Sequence, residues 1–309
     1  MSWAACPEAR EQVEAPRATG IEQVLVPRTS DIGGFEVARA LPSRERRMVG
    51  PFVFFDQMGP GEFLEQRGLD VRPHPHIGLS TLTWLFEGAL MHRDSLGVEQ
   101  RIEPGAVNWM TAGRGVVHSE RTPDDLRAAR SLLAGMQAWL ALPESLEETA
   151  PAFVHHAAGE IPRVEQPGWT ADVIVGELFG ARSPVEAPTQ TVYADLRLRA
   201  GARVPIEPMA EERALYLYAG DPRVDGLPGP STRLLVLRPG ATLTLEADSD
   251  AHVLLLGGEP MDGPRYLWWN FVASSKDRIR AARADWDAGR FDPVPGDDER
   301  IPLPDLPGP

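Results

Sequence analysis

Cysteine is almost missing. Cys6 is the one thiol in 309 residues, so no intrachain disulfide can form and a reducing compartment, the cytoplasm, is expected. Long hydrophobic runs are missing too. No uncharged apolar stretch approaches the roughly 18 to 20 residues of a membrane-spanning helix, so no membrane association is expected. The opening Met1-Ser-Trp-Ala-Ala-Cys-Pro-Glu-Ala-Arg10 holds no apolar segment of the kind a secretory signal requires. Positive charge is in deficit: 31 Lys and Arg face 45 Asp and Glu, a formal charge of −14. The densest basic cluster, Arg44-Glu45-Arg46-Arg47, is partly cancelled from within. An acidic surface repels a phosphate backbone, which argues against direct nucleic-acid binding.

What is present is turn chemistry. Thirty prolines and 29 glycines are dispersed through the chain and separate short apolar runs, the pattern of an all-β protein of about two domains. From Val24 to Phe55 the breaks fall at Pro27, Gly33-Gly34, Pro42 and Gly50-Pro51. In Leu79–Phe86, Ser80, Leu82, Trp84 and Phe86 share one face, and Leu79, Thr81, Thr83 and Leu85 the other. Both faces carry apolar residues, as in a strand buried on two sides. Thr191–Leu198 alternates more cleanly and turns Val192, Ala194, Leu196 and Leu198 inward. Two such meanders imply a duplicated β unit. Residues 1–20 read as a flexible N-terminus, 21–150 as the first unit, 151–190 as a connecting segment rich in Gly, Pro and charge, and 191–309 as the second unit. Ser274-x-x-Asp277 has the form of a capping box, Ile279, Ala282 and Trp286 recur at helical spacing, and Gly289 offers a stop. Together they predict a helix over about 275–288. The proline-rich tail beyond Phe291 is expected to lie extended along another surface.

Three of the seven histidines fall in two compact patterns. In an extended segment, positions i and i+2 project to one face, so His74 and His76 of Pro73-His-Pro-His-Ile-Gly78 can point at one centre. His118 and Glu120, after the Gly113-Arg-Gly115 turn, have the same relation. Brought together in a barrel, the two pairs form a set of three imidazoles and a carboxylate, which suits a divalent Fe, Ni, Cu, Mn or Zn ion. Structural zinc would more often be enclosed by four ligands that include cysteine. His155 and His156 are adjacent and diverge in a strand, His252 is solitary, and His92 is either a partner of the ligand set or an ordinary histidine.

The stretch from His74 to Glu120 is specific. His74-Pro-His-Ile-Gly78, Thr83-Trp-Leu-Phe-Glu-Gly88, His92-Arg-Asp-Ser-Leu-Gly97 and Pro104-Gly-Ala-Val-Asn-Trp-Met-Thr-Ala-Gly-Arg-Gly-Val-Val-His-Ser-Glu120 resemble the pirin family of the cupin superfamily. So do Gly33-Gly-Phe-Glu-Val37, Val49-Gly-Pro-Phe52, Gly263-Pro-Arg-Tyr-Leu-Trp-Trp-Asn-Phe-Val272 and Ala284–Phe291, the latter two as in bacterial pirin-like proteins. The resemblance implies two tandem cupin (jelly-roll) barrels with one short C-terminal helix. It implies an iron ion, most readily Fe(II), in the first barrel on His74, His76, His118 and Glu120. Two departures stand out: Ser80 where many cupins carry a glutamate, and Ile77 where some pirins carry an arginine at the expected rim of the pocket. Gly201–Gly220, where the second barrel would carry its histidine pair, contains no histidine, so that barrel is expected to hold no metal.

Two functions follow as expectations from this resemblance. One is an iron-dependent dioxygenase that opens quercetin-type flavonols, taking a phenolic substrate and dioxygen, with Glu120 accepting the hydroxyl proton. The other is a non-enzymatic regulator whose metal or redox state shapes a surface for a protein partner. A metal-free scaffold is the residual reading. The resemblance also implies a monomer.

Overall fold

The computed structural model describes residues 20–32 and 35–305. The expectations for residues 1–19, Cys6 among them, for Gly33-Gly34 and for the last four residues therefore lie outside the described residues.

Two seven-stranded sheets dominate. The first runs Ala152–His156, Val107–Thr111, Leu79–Glu87, Ser131–Ala141, Phe52–Phe63, Glu36–Leu41 and Arg28–Asp31. The second starts at one edge with the N-terminal Ile21–Leu25 and then repeats that order with Arg233–Leu237, Glu212–Ala219, Ala251–Gly258, Thr191–Leu198, Trp169–Val175 and Arg163–Gln166. A four-stranded sheet completes each barrel. In the first it is Asp70–His76, Val116–Arg121, Leu90–Asp94 and Glu99–Ile102. In the second it is Arg203–Ile206, Leu243–Glu246, Arg223–Val224 and Leu227–Pro228. The same strand order twice over is the tandem cupin fold. No helix among the described residues is long and apolar enough to cross a membrane.

Strand alternation explains how the barrels meet. Leu82 and Trp84 of the first sheet pack with Tyr193, Tyr216, Leu254 and Leu256 of the second in one apolar layer. Thr81, Thr83 and Leu85 point the other way, into the first barrel. Val192, Ala194, Leu196 and Leu198 turn into the second barrel's own core, as their alternation predicts. Burial of each large side chain in that layer is worth about 1.5–3 kcal/mol, and two hydrogen bonds give the layer direction. Trp84 Nε1 donates to Asp195 Oδ2 at 2.9 Å and Tyr216 Oη to Gln57 Oε1 at 2.7 Å.

The division of the chain differs from the expected one in three places, the third being the C-terminal hairpin, helix and tail, which pack on the first barrel. Ile21–Leu25, placed by sequence in the first unit, pairs with Arg233–Leu237 of the second. Segment 151–190, read as a connection, supplies Ala152–His156 to the first sheet and Arg163–Gln166 and Trp169–Val175 to the second. Trp169–Val175 is buried on both faces over most of its length, so it shows no clean alternation, and the flanking glycines and prolines read as loop.

The helix forms over Lys276–Asp287 and buries Ile279, Ala282 and Trp286. Its cap is Ser275, whose Oγ accepts from Arg278 N at 3.2 Å, rather than Ser274, whose Oγ donates instead to Glu147 Oε2 at 2.7 Å. The helix and the hairpin before it, Tyr266–Trp268 with Phe271–Ala273, pack back on the first barrel. The tail continues along that barrel, where Ile301 N donates to Pro73 O at 2.8 Å.

Candidate metal centre

His74 and His76 lie on the edge strand of the small sheet, an edge that tolerates Pro73 and Pro75 because a missing N–H there breaks no ladder. The neighbouring strand places His118 directly opposite His74, and a register shift follows before Glu120. On its other side His118 faces Asp94, and Glu120 faces His92.

The three histidines each bring a ring nitrogen within 4.8 Å of the others, at 6%, 0% and 1% exposure for His74, His76 and His118. Their hydrogen bonds decide which nitrogen. His74 Nδ1 donates to Arg72 O at 2.9 Å and His76 Nδ1 to Asn270 O at 3.1 Å. Asp94 Oδ2 accepts from His92 Nε2 at 3.1 Å, which leaves His92 Nδ1 to accept from His118 Nδ1 at 3.3 Å. Asp94 Oδ1 is itself held by Leu96 N and Val98 N. All three Nδ1 atoms are thereby protonated donors, and all three Nε2 atoms carry a lone pair. This is the usual support of metal-binding histidines.

His76 Nε2 and His118 Nε2 stand 3.0 Å apart. Two lone pairs at that distance repel unless a cation lies between them. Nitrogens about 2.1 Å from one ion and at right angles about it are about 3.0 Å apart. Burial drives the basicity of the rings down. The pKa of His74 falls to about 4 and those of His76 and His118 well below the ordinary value, so the rings are neutral donors at neutral pH. The donor set fits a divalent transition metal.

Glu120 stands outside the group that the three nitrogens form. Its Oε1 is 3.5 Å from Thr83 Oγ1, whose proton goes to Gln137 Oε1 at 2.8 Å. Burial raises its pKa, against smaller opposing pulls from His92 and Thr83. The carboxylate is therefore a stronger base than an exposed glutamate.

Aromatic and polar side chains both lie near the histidines. Trp139 meets His76 edge-on at 4.9 Å and stacks on Phe54 at 3.9 Å, and Arg39 lies 4.3 Å over Phe54 while clamping Asp56. Across the sheet Arg39, Asp56, Gln137, Thr83, Asn108 and His155 are successive cross-strand partners. Sequence reasoning missed that row, because it exists only once five registers are set. It also missed Asn270, which acts through its main chain and so leaves no side-chain signal. Asp94 had a signal, the i, i+2 spacing to His92.

Other expectations resolve differently. His155 Nδ1 bonds to Asn108 Oδ1 at 2.7 Å, His156 lies 3.6 Å from Glu160, and the solitary His252 meets Asp195 at 2.6 Å. Ser80 bonds to Thr111 on the face that meets the second barrel, so a carboxylate there would not face the metal site. Ile77 is buried beneath the C-terminal helix and hairpin and does not line a rim. In the second barrel, Val204 opposite Leu245 and Ile206 opposite Leu243 stand where the first has its histidines, and aliphatic side chains offer no donor. Two surface clefts, of about 470 and 570 Å³, lie beside Arg46 and Glu212 and between Arg283 and Leu303, away from the histidines.

Residues 34–140 match the family model Pirin, and residues 193–292 match the Pirin C-terminal cupin domain. A pirin-like protein of Caulobacter vibrioides is 48% identical over 289 residues, spanning 92% of this chain and 100% of the relative. The crystal structure of a quercetin 2,3-dioxygenase from Acinetobacter baumannii superposes with a TM-score of 0.86 at 38% identity, over 93% of this chain and 96% of that one. A bacterial pirin from Escherichia coli, solved with nickel(II), shares the fold at a TM-score of 0.60 and 18% identity, over 76% and 96% of the two chains.

Proposed function

This chain belongs to the pirin family, and on that premise we propose that it is an iron-dependent dioxygenase of quercetin-type flavonols. The observation that carries the reading is the buried convergence of the ring nitrogens of His74, His76 and His118. His74, His76 and His118 would hold the ion through these atoms, with Glu120 as the fourth ligand of the proposal. Bound there, Fe(II) would supply Lewis acidity toward a substrate oxyanion.

The chain's own residues do the rest. Glu120 is the carboxylate placed to accept the flavonol hydroxyl proton, with Thr83 beside its Oε1. Trp139, edge-on to His76 and stacked on Phe54, gives that side of the site an apolar lining. One flavonol and one dioxygen give one ring-opened carboxylic acid ester and one carbon monoxide, with both oxygen atoms retained in the products and no external reductant. The protein acts as a monomer in the cytoplasm under this reading.

Protein loaded anaerobically with Fe(II), then given quercetin and air, is expected to consume oxygen and release carbon monoxide in equal amounts. Loaded protein that does neither overturns the enzymatic reading. Metal-state-dependent capture of a protein partner without turnover would replace it with the regulatory one.

A further inference from the structure

The strand that carries His74 and His76 is covered on its outer side by chain from the far end of the sequence. Ile77 forms a parallel bridge with Phe271, and Val272 N donates to Ile77 O at 3.2 Å. Ile77, which follows His76, and Val117, which precedes His118, are buried with Trp268, Phe271, Ile279 and Trp286. Two glycines make the approach feasible. A Cβ on Gly78, at φ +66°, would lie 2.0 Å from Val272 O, and one on Gly115 would lie 2.9 Å from the Phe291 ring. Both belong to the segments that carry the histidines.

The segment is anchored far from the ligands as well. Arg265, with a fully buried side chain, donates to Leu142 O at 3.0 and 3.1 Å and pairs with Glu147 at 3.2 Å. Arg278 reaches Arg114 O at 2.7 Å. At the hairpin tip Trp269 takes φ +53°, a left-handed backbone that a bulky residue adopts only when its surroundings impose it. The following residue, Asn270, delivers its carbonyl to His76 Nδ1.

We propose that the C-terminal segment from Gly263 to Leu303 is a working part of the metal centre: Asn270, through its main-chain carbonyl, is a positioning residue for His76, and segment docking and metal binding reinforce each other. This rests on the metal reading given above. The docked carbonyl fixes the ring's tautomer and orientation. A detached segment leaves His76 free to rotate and to present either nitrogen. By linkage, metal must then favour the docked segment by the same factor that docking favours metal. Loss of such support for a ligating histidine typically weakens metal affinity about ten- to a hundredfold.

The test uses full-length protein and Ni(II) alone, a redox-stable ion that accepts imidazole. Amide exchange over Tyr266–Ala273 is followed with and without Ni(II), and affinity is measured by competition with a chromophoric chelator, in wild type, Arg265→Ala and Trp286→Ala. Ni(II) is expected to slow exchange across the hairpin at least tenfold in wild type, and either substitution to weaken Ni(II) binding at least tenfold while Leu79–Glu87 exchanges as before. Wild type that binds Ni(II) with unchanged hairpin exchange overturns the coupling, and this comparison stands even if both variants misfold. A variant with a freely exchanging hairpin and wild-type affinity overturns it too. Wild type that binds no Ni(II) overturns the metal reading itself, a separate and recognisable failure.

Discussion

Asp94→Asn should cripple metal binding without disturbing the fold. The substitution changes one atom in a fully buried side chain, and its Oδ1 can still accept from Leu96 N and Val98 N at 2.9 and 3.1 Å. The atom facing His92 Nε2, now 3.1 Å from a carboxylate oxygen, becomes an N–H donor. His92 must then keep Nε2 unprotonated and carry its proton on Nδ1, aimed at His118 Nδ1 across 3.3 Å. His118 Nδ1 becomes an acceptor, and its own proton moves to Nε2, the atom that has to offer a lone pair. Reversal of this chain is expected to weaken divalent-metal binding about ten- to a hundredfold, or about 1.4–2.8 kcal/mol. Denaturant unfolding provides the assay. Metal at a hundred times the wild-type Kd stabilises wild type by about 2.7 kcal/mol, and a variant binding a hundredfold more weakly by only about 0.4 kcal/mol. An Asp94→Asn protein that is as stable as wild type and gains the full metal-dependent increment would refute the tautomer argument.

Three further outcomes are expected. The His74 pKa is depressed in the folded chain to about 4 from 6.5, so below pH 6.5 the unfolded chain binds the extra proton and metal-free stability falls with falling pH down to about 4, by about 3 kcal/mol for this one group. His74→Gln should reduce the slope in that part of the pH profile of denaturant unfolding by this one group's share, His76 and His118 keeping theirs; an unchanged slope contradicts it. Trp84→Phe removes the donor to Asp195 Oδ2 between the barrels and should cost about 1–3 kcal/mol of stability with metal affinity preserved, read by chemical denaturation and chelator competition. Thr83→Val takes away the hydroxyl beside Glu120 and the donor to Gln137, and should lower turnover of quercetin by the Fe(II) protein while Ni(II) binding changes less than threefold.

The fold was legible wherever a local rule reached. Alternation in Thr191–Leu198 named the inward face, and the i, i+2 spacing of His74 with His76 placed both rings on one side of a strand. The helix announced itself by Ile279, Ala282 and Trp286. Its cap slipped by one residue because Ser274 and Ser275 can both cap, and a tertiary bond from Ser274 to Glu147 decides between them. Crossings between the two barrels were not legible. Ile21–Leu25 is apolar enough for either sheet, and its choice depends on an edge left open more than 200 residues away. The surroundings of the histidines were hidden for the same reason: the support for His76 comes from a carbonyl 194 residues distant.

X-ray absorption or anomalous diffraction from protein loaded with Fe(II) reads the centre most directly. One ion per chain is expected, with three imidazole nitrogens at about 2.0–2.1 Å belonging to His74, His76 and His118, and one Glu120 oxygen at about 2.0–2.2 Å. An ion bound elsewhere, or one bound by fewer than these three nitrogens, would contradict this expectation.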